Sequence, residues 1–236
     1  MNFFNKKNKD LYIEYSNKYN ITPNLEPSKN FVPDWYKEIK PPNTKDIKSL
    51  PIKLNIKSCV PFLDSFLSGY TISLSMDIAV RKNNDGRVDI TWHFQDLAPV
   101  VLRDNTMTLG VPIPMLHEKE NFVWSTETVI KTPKGYSCLY THPLNRHDLP
   151  FTTLSGIIDT DSVIHEGHIP FFIKKDFEGV IKSGTPIIQV IPFKRENWQS
   201  LKNKDLIPIA EKQAMLSLLN THSWYKKNIW KTKKYD

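Results

Sequence analysis

The chain has 236 residues, with 32 Lys+Arg against 25 Asp+Glu, 17 Pro, 8 Gly and 2 Cys. At this length one core can bury roughly 70% of the unfolded surface. No disulfide or metal staple is therefore needed, and Cys59 and Cys138 are expected as reduced thiols. No run approaches the ~20 apolar residues of a membrane span, and the first ten residues lack the apolar core of a signal peptide, so neither secretion nor membrane insertion is expected, and a cytoplasmic location is.

Residues 1–50 are rich in Asn, Lys and Pro, with Pro23, Pro27, Pro33, Pro41 and Pro42 spacing short aromatic clusters. Proline removes a backbone donor, so this stretch is expected as an extended arm with at most one short helix near residues 8–19. Phe31, Trp35, Tyr36 and Ile39 are too apolar for a free linker and are expected to dock. From residue 51 to 195 the texture becomes short β-rich runs. Residues 52–56 and 70–80 alternate apolar and polar, the period of a half-buried strand. Asp85-Gly86 before Val88–Trp92 predicts a tight hairpin turn. Further strands are expected at 122–131, 136–141, 155–159, 169–174, 178–182 and 186–194, and this spacing argues for a mainly β domain. The last segment, 196–236, is expected to hold an amphipathic helix over 207–222. Pro208 would sit in its first turn, and Ala210, Ala214, Met215, Leu218 and Leu219 would form a stripe that packs on the sheet or on a partner subunit.

The formal charge of +7 lies at the ends: residues 1–10 carry +2 and residues 226–236 carry +4. Solvated tails are the ordinary reading of such a pattern. The lysines at 226–234 are interleaved with Trp224, Tyr225, Trp230 and Tyr235, a mixture that also suits phosphate and stacked bases, or a groove on a neighbouring subunit.

His142, His147, His165 and His168 fall close together, but Gly167 and Pro170 argue against the helix that would converge His165 and His168 on one ion, so no metal site is expected. There is no Gly-x-Ser-x-Gly, no phosphate-cradling glycine loop and no Cys in a recognisable His setting, which disfavours those hydrolase and kinase classes. Acidic pairs remain, chiefly Asp159-Thr160-Asp161. At a strand end such a triplet most often holds a turn through backbone hydrogen bonds. Gln189, on an apolar strand, is most often a satisfied buried amide.

Gly156-Ile157-Ile158-Asp159-Thr160-Asp161, followed by Gly184-Thr185-Pro186-Ile187-Ile188-Gln189-Val190-Ile191 and preceded by Gly135-Tyr136-Ser137, resembles the motifs of the dUTPase and dCTP deaminase superfamily over about residues 133–194. The resemblance implies a dUTPase-like β-clip fold and a homotrimeric assembly, to which this chain adds the extended N-terminal arm and the one C-terminal helix read above. It further implies Asp159 as the residue orienting the attacking water, Arg146, Asp161 and Gln189 as nucleotide or phosphate contacts, and Mg2+ bridging the phosphates of a hydrolysed nucleotide. The sequence departs from the family where a stacking Tyr is expected, at Ser162-Val163, and in the glutamate of the deaminase branch, absent from His168–Phe172. The glycine-rich motif that closes over the phosphates is missing too.

The whole chain also resembles uncharacterised proteins of marine tailed phages, through Pro33-Asp34-Trp35-Tyr36-Lys37, Lys131-Thr132-Pro133-Lys134-Gly135-Tyr136-Ser137 and Gln189–Arg195. Together these imply a phage-type β-clip protein with a degenerate site, acting by binding or assembly, in a virion or as an accessory protein. The alternatives are a divergent Mg2+-dependent nucleoside triphosphate pyrophosphatase and a non-hydrolysing nucleotide-binding protein. Self-association, virion proteins and nucleotide are the expected partners, with nucleic acid reached only through the Lys-rich tail.

Overall fold

A computed structural model describes residues 11–18, 23–42, 55–94, 96–104, 106, 109–219 and 224–236. The chain forms two units, one of residues 1–27 and 69–195, the other of residues 28–68 and 196–236.

The first unit is antiparallel β throughout its described strands. In chain order these are β1 (Glu14–Asn17), β2 (Glu26–Pro27), β3 (Tyr70–Ser73), β4 (Ile78–Lys82), β5 (Val88–Trp92), β6 (Val100–Leu102) and β7 (Phe122–Ser125). Then follow β8 (Thr128–Lys131), β9 (Tyr136–Thr141), β10 (Phe151–Thr153), β11 (Gly156–Ile158), β12 (His168–Ile173), β13 (Gly179–Ile181) and β14 (Pro186–Lys194). They pair as β11-β9-β14-β3-β2, β10-β12-β7-β6, β13-β4-β5 and β1-β8. The mainly β class expected from the strand spacing is the class the chain adopts.

The core forms between the buried faces of these strands. Trp124 is fully buried, stacks on Phe171 with ring centroids 3.6 Å apart, and meets Phe151 edge-on at 5.0 Å. Its indole N–H donates to Thr153 Oγ1 at 3.0 Å, and Thr153 Oγ1 donates to the Ile187 carbonyl at 2.8 Å, tying β7, β10 and β14 together. Tryptophan is placed at such depth only where its donor finds a partner.

Local chemistry explains where the chain departs from its periodicity. The run 70–80 is two strands in different sheets, because Asp77 accepts from the Ser183 amide and the Lys182 ammonium, both at 2.8 Å, and turns the chain between β3 and β4. The run 122–131 breaks at Glu127, whose φ is 50°, so β7 pairs with β12 while β8 pairs with β1. The hairpin of β4 and β5 forms as expected, with Gly86 at φ 75°. Residues 8–10 and 19 of the expected N-terminal helix lie outside the described residues. The described remainder corrects that expectation: Glu14–Asn17 is a strand, because β8 offers an open edge with Lys131 opposite Glu14. Residues 52–54 likewise lie outside the described residues, and the end of that expected strand is instead a 3-10 turn, Ile56–Ser58. It is capped by Asn55, whose side chain accepts from the Lys57 amide at 3.0 Å.

The second unit joins material from both ends of the chain. It holds α1 (Asp34–Glu38), α2 (Val60–Leu67), α3 (Leu206–Leu219) and α4 (Trp224–Asn228). Tyr36, Phe62 and Phe66 form an aromatic cluster with centroids 5.1–5.8 Å apart, and Trp35 packs edge-on against Phe66. The docking expected of the Phe31–Ile39 aromatics is thus met by α2, an element its short sequence did not signal. Trp230 donates its indole N–H to both oxygens of Asp64 at 3.0 and 2.9 Å, and Lys233 pairs with the same carboxylate. The helix expected at 207–222 is present as α3, although residues 220–222 lie outside the described residues. Its side chains from 206 to 216 are exposed.

Candidate functional site

The carboxylates singled out in the sequence stand where β11 ends beside the start of β9 and the end of β14. Ile158 lies opposite Cys138, which places Asp159 beside Ser137, and Lys194 lies opposite Tyr136, which places Arg195 beside Gly135. Gly135 has φ 90°, the left-handed conformation that closes the Pro133–Tyr136 turn, and its half-buried amide donates to Asp161 Oδ2 at 2.8 Å. Thr132 and Thr160 share a hydrogen bond between their hydroxyls at 2.7 Å, so the turn and the Asp159–Val163 segment are locked side by side.

Arg195 closes the cluster. Its Nη1 donates to Asp161 Oδ1 at 3.0 Å, Asp159 Oδ1 at 3.1 Å and Ser137 Oγ at 2.9 Å, and its Nη2 pairs with Asp161 Oδ2. Ser137 Oγ in turn donates to Asp159 Oδ1 at 2.6 Å. The Asp161 side chain is only 3% exposed and Asp159 is 59% exposed. Arg195, followed by the Gly135 amide, holds the Asp161 carboxyl well below the usual carboxylate range, and Asp161 raises the guanidinium reciprocally. A magnesium ion would meet a guanidinium already seated on both carboxylates, so Asp159 and Asp161 as placed do not fit direct ligation of a divalent cation.

Gln189 and Arg146 stand elsewhere. Gln189 lies opposite Thr141 at the far end of β9, six residues along β14 from Arg195, or about 20 Å at ~3.3 Å per residue. It is 2% exposed, and its Oε1 accepts from the Leu144 amide at 2.9 Å. Arg146 forks onto Asp148 through Nε and Nη2, both at 2.9 Å. Thus Asp159 and Asp161 come together, and Gln189 with Arg146 belong to the separate turn of residues 142–148. His142 fixes that turn: its Nδ1 accepts from the Thr153 amide at 3.3 Å, which assigns the proton to Nε2, the donor to the Arg146 carbonyl at 3.0 Å. Burial pushes its pKa down. His168, the other end of the His165–His168 pair, lies beside Arg103 at 3.2 Å.

Sequence reasoning missed Arg195 and Ser137 as members of the carboxylate cluster. The signal available was Gly135, a turn residue that sets the start of β9 against whatever follows β14.

A cavity of about 480 Å3 opens beside Asp161, walled by Leu11, Tyr12 and Pro133 and edged by Lys131 and Lys134. Glu14 pairs with Lys131 at 3.5 Å, so of the two lysines at the cavity's edge Lys134 is the one with no carboxylate partner among the described residues.

No protein-family model matches the chain, and no curated protein matches it. Among solved structures it is similar to a mutant dUTPase from phage phi11 of S. aureus, at 9% identity, covering 82% of this chain and 97% of that one, with a TM-score of 0.39. At that score the likeness carries no weight for the site. Among the described residues, no helix is long and apolar enough to cross a membrane.

Proposed function

We propose that this is a phage-type β-clip protein that works by binding and self-association, and that the Asp159–Asp161–Arg195 cluster is a brace rather than a hydrolytic centre. The observation that carries the reading is the closure of both carboxylates by one guanidinium. Asp161, held well below the usual carboxylate range, is a weak base, and the oxygen of Asp159 that faces the cluster already accepts from Ser137 and Arg195. Gln189 and Arg146, which a phosphate site would need beside it, are spent on their own turn some 20 Å along the sheet.

Exposed apolar side chains support self-association. Strand β6 is a sheet edge carrying Val101 and Leu102, and the segment after it exposes Leu109, Val111, Ile113, Met115 and Leu116 by 42–86%. A run of this kind marks an interaction surface. The resemblance to the dUTPase superfamily makes a homotrimer the assembly of choice. Sedimentation velocity tests it: three chains of 27.5 kDa give a species of about 82 kDa, and a monomer at all concentrations up to about 100 μM, where even weak self-association shows, contradicts it.

The cavity beside Asp161 favours a second reading, a non-hydrolysing nucleotide site with Tyr12 against a base and Lys134 on phosphate. A thermal-shift screen of nucleotides with and without magnesium tests it. A ligand at ~100 times its dissociation constant adds about 2.7 kcal/mol, and no shift with any nucleotide removes this reading.

A further inference from the structure

The positive charge of this protein is segregated by unit. Residues 28–68 carry seven lysines and four acidic residues, and residues 196–236 carry eight lysines and four acidic residues, so the second unit has the whole net charge of +7. The β unit is left with 17 basic and 17 acidic residues and is neutral. The charged C-terminal tail thus shares a compact unit with the Lys-rich stretch 28–68, whereas the basic residues 1–10 fall in the β unit, and a positive field on a compact unit is the electrostatic footprint of a polyanion binder.

Three of the eight acidic groups of this unit are engaged within it. Asp34 pairs with Lys37 at 2.9 Å, Asp236 with Lys29 at 2.6 Å, and Asp64 takes Trp230 and Lys233. Asp64 thereby pins the C-terminal segment to α2 and presents Lys226, Lys227, Lys231 and Lys234 to solvent. None of these four pairs with a carboxylate among the described residues, and Lys226 lies 5.9 Å over the Trp230 ring. Trp198, 85% exposed, and Tyr225 offer flat faces in the same unit.

We propose that this unit binds single-stranded nucleic acid, with Lys226, Lys227, Lys231 and Lys234 on backbone phosphates and Tyr225 and Trp198 stacking on bases. Stacking requires unpaired bases, which selects a single strand over a duplex. Every cation of the unit is a lysine, while all five arginines lie in the β unit. Lysine contributes point charges without the forked geometry that reads guanine edges, so binding is insensitive to base sequence.

The test is fluorescence anisotropy of the full chain with a labelled 20-nucleotide single strand, the same sequence as duplex, and vesicles of phosphatidylserine and phosphatidylcholine. Four phosphate contacts give a slope of log affinity against log salt near −3, so affinity falls about fifty-fold between 50 and 200 mM salt. Replacing the four lysines with glutamine flattens that slope, and Trp198→Ala with Tyr225→Ala weakens the single strand by about tenfold. Lysine acetylation of the unmodified protein, read by mass spectrometry, gives an independent footprint, with the same four lysines protected by the bound strand. Absence of binding at 50 mM salt, a duplex or a vesicle bound as tightly as the single strand, or lysines equally reactive with and without it would each overturn the assignment.

Discussion

Replacing Gln189 by leucine separates the two roles this residue can have. In the fold, its Oε1 accepts the Leu144 amide at 2.9 Å and fastens the 142–148 turn to β14. Leucine keeps the bulk and the apolar fit of a strand whose neighbours Ile188 and Val190 are fully buried, but it offers the amide no acceptor. An orphaned buried donor costs about 1–3 kcal/mol. Leu144 is half-buried and part of that loss is returned by water, so the lower half of the range, about 1–2 kcal/mol, is expected. For a body of this size that is a fall of about 2–8 °C in midpoint. Differential scanning calorimetry of the parent and Gln189→Leu measures it. An unchanged midpoint with weakened binding of a nucleotide would show that the glutamine serves a ligand and not the turn.

Three other substitutions probe the same framework. Gly69 has φ +72°, and a Cβ there would stand 2.2 Å from the Val190 carbonyl oxygen, so Gly69→Ala must both strain its backbone, by about 1–2 kcal/mol, and push β14 away. A melting temperature within a degree of the parent would refute that geometry. Asp161 has a depressed folded pKa, so its contribution is fully present above the unfolded carboxylate value of about 4 and is lost as pH falls through the folded one. Asp161→Asn is expected to be less stable at pH 7 and to lose less on acidification in urea titrations between pH 6 and 2. His142 is also depressed, but as a base: below its ordinary value of 6.5 the unfolded chain takes up the proton first, so stability drops from about pH 6.5 downward. His142→Gln, which can keep both hydrogen bonds of the ring, should flatten that part of the profile, and an unaltered profile would contradict the account.

Strands buried by many neighbours were the most legible part of the sequence. The runs at 136–141 and 186–194 are β9 and β14 to the residue, because they pair with each other along the centre of a sheet and their apolar content leaves no other use for them. Period-two alternation does not show where a strand changes sheet: residues 70–80 kept theirs through the turn made by Asp77, and the β-rich run 122–131 carried no sign of the break at Glu127. Strand β1 owes its existence to the edge of β8, a tertiary fact with no local signal. The arms were read separately because nothing in either end announces the other; Asp64 and Trp230 meet across 166 residues of sequence. At the candidate site, the Asp-Thr-Asp triplet and Gly135 were visible as turn chemistry. Arg195 was not, since a single arginine after a strand becomes informative only when the register shows that it faces Gly135 and two carboxylates.

The most direct measurement is pyrophosphate release by the purified chain from each deoxynucleoside triphosphate with magnesium, alongside Asp159→Ala. If the Asp159–Asp161–Arg195 cluster is a brace, the parent shows no turnover above the uncatalysed background and the variant is indistinguishable from it. Turnover of any nucleotide by the parent that disappears in Asp159→Ala would place a working base in the cluster and contradict the account.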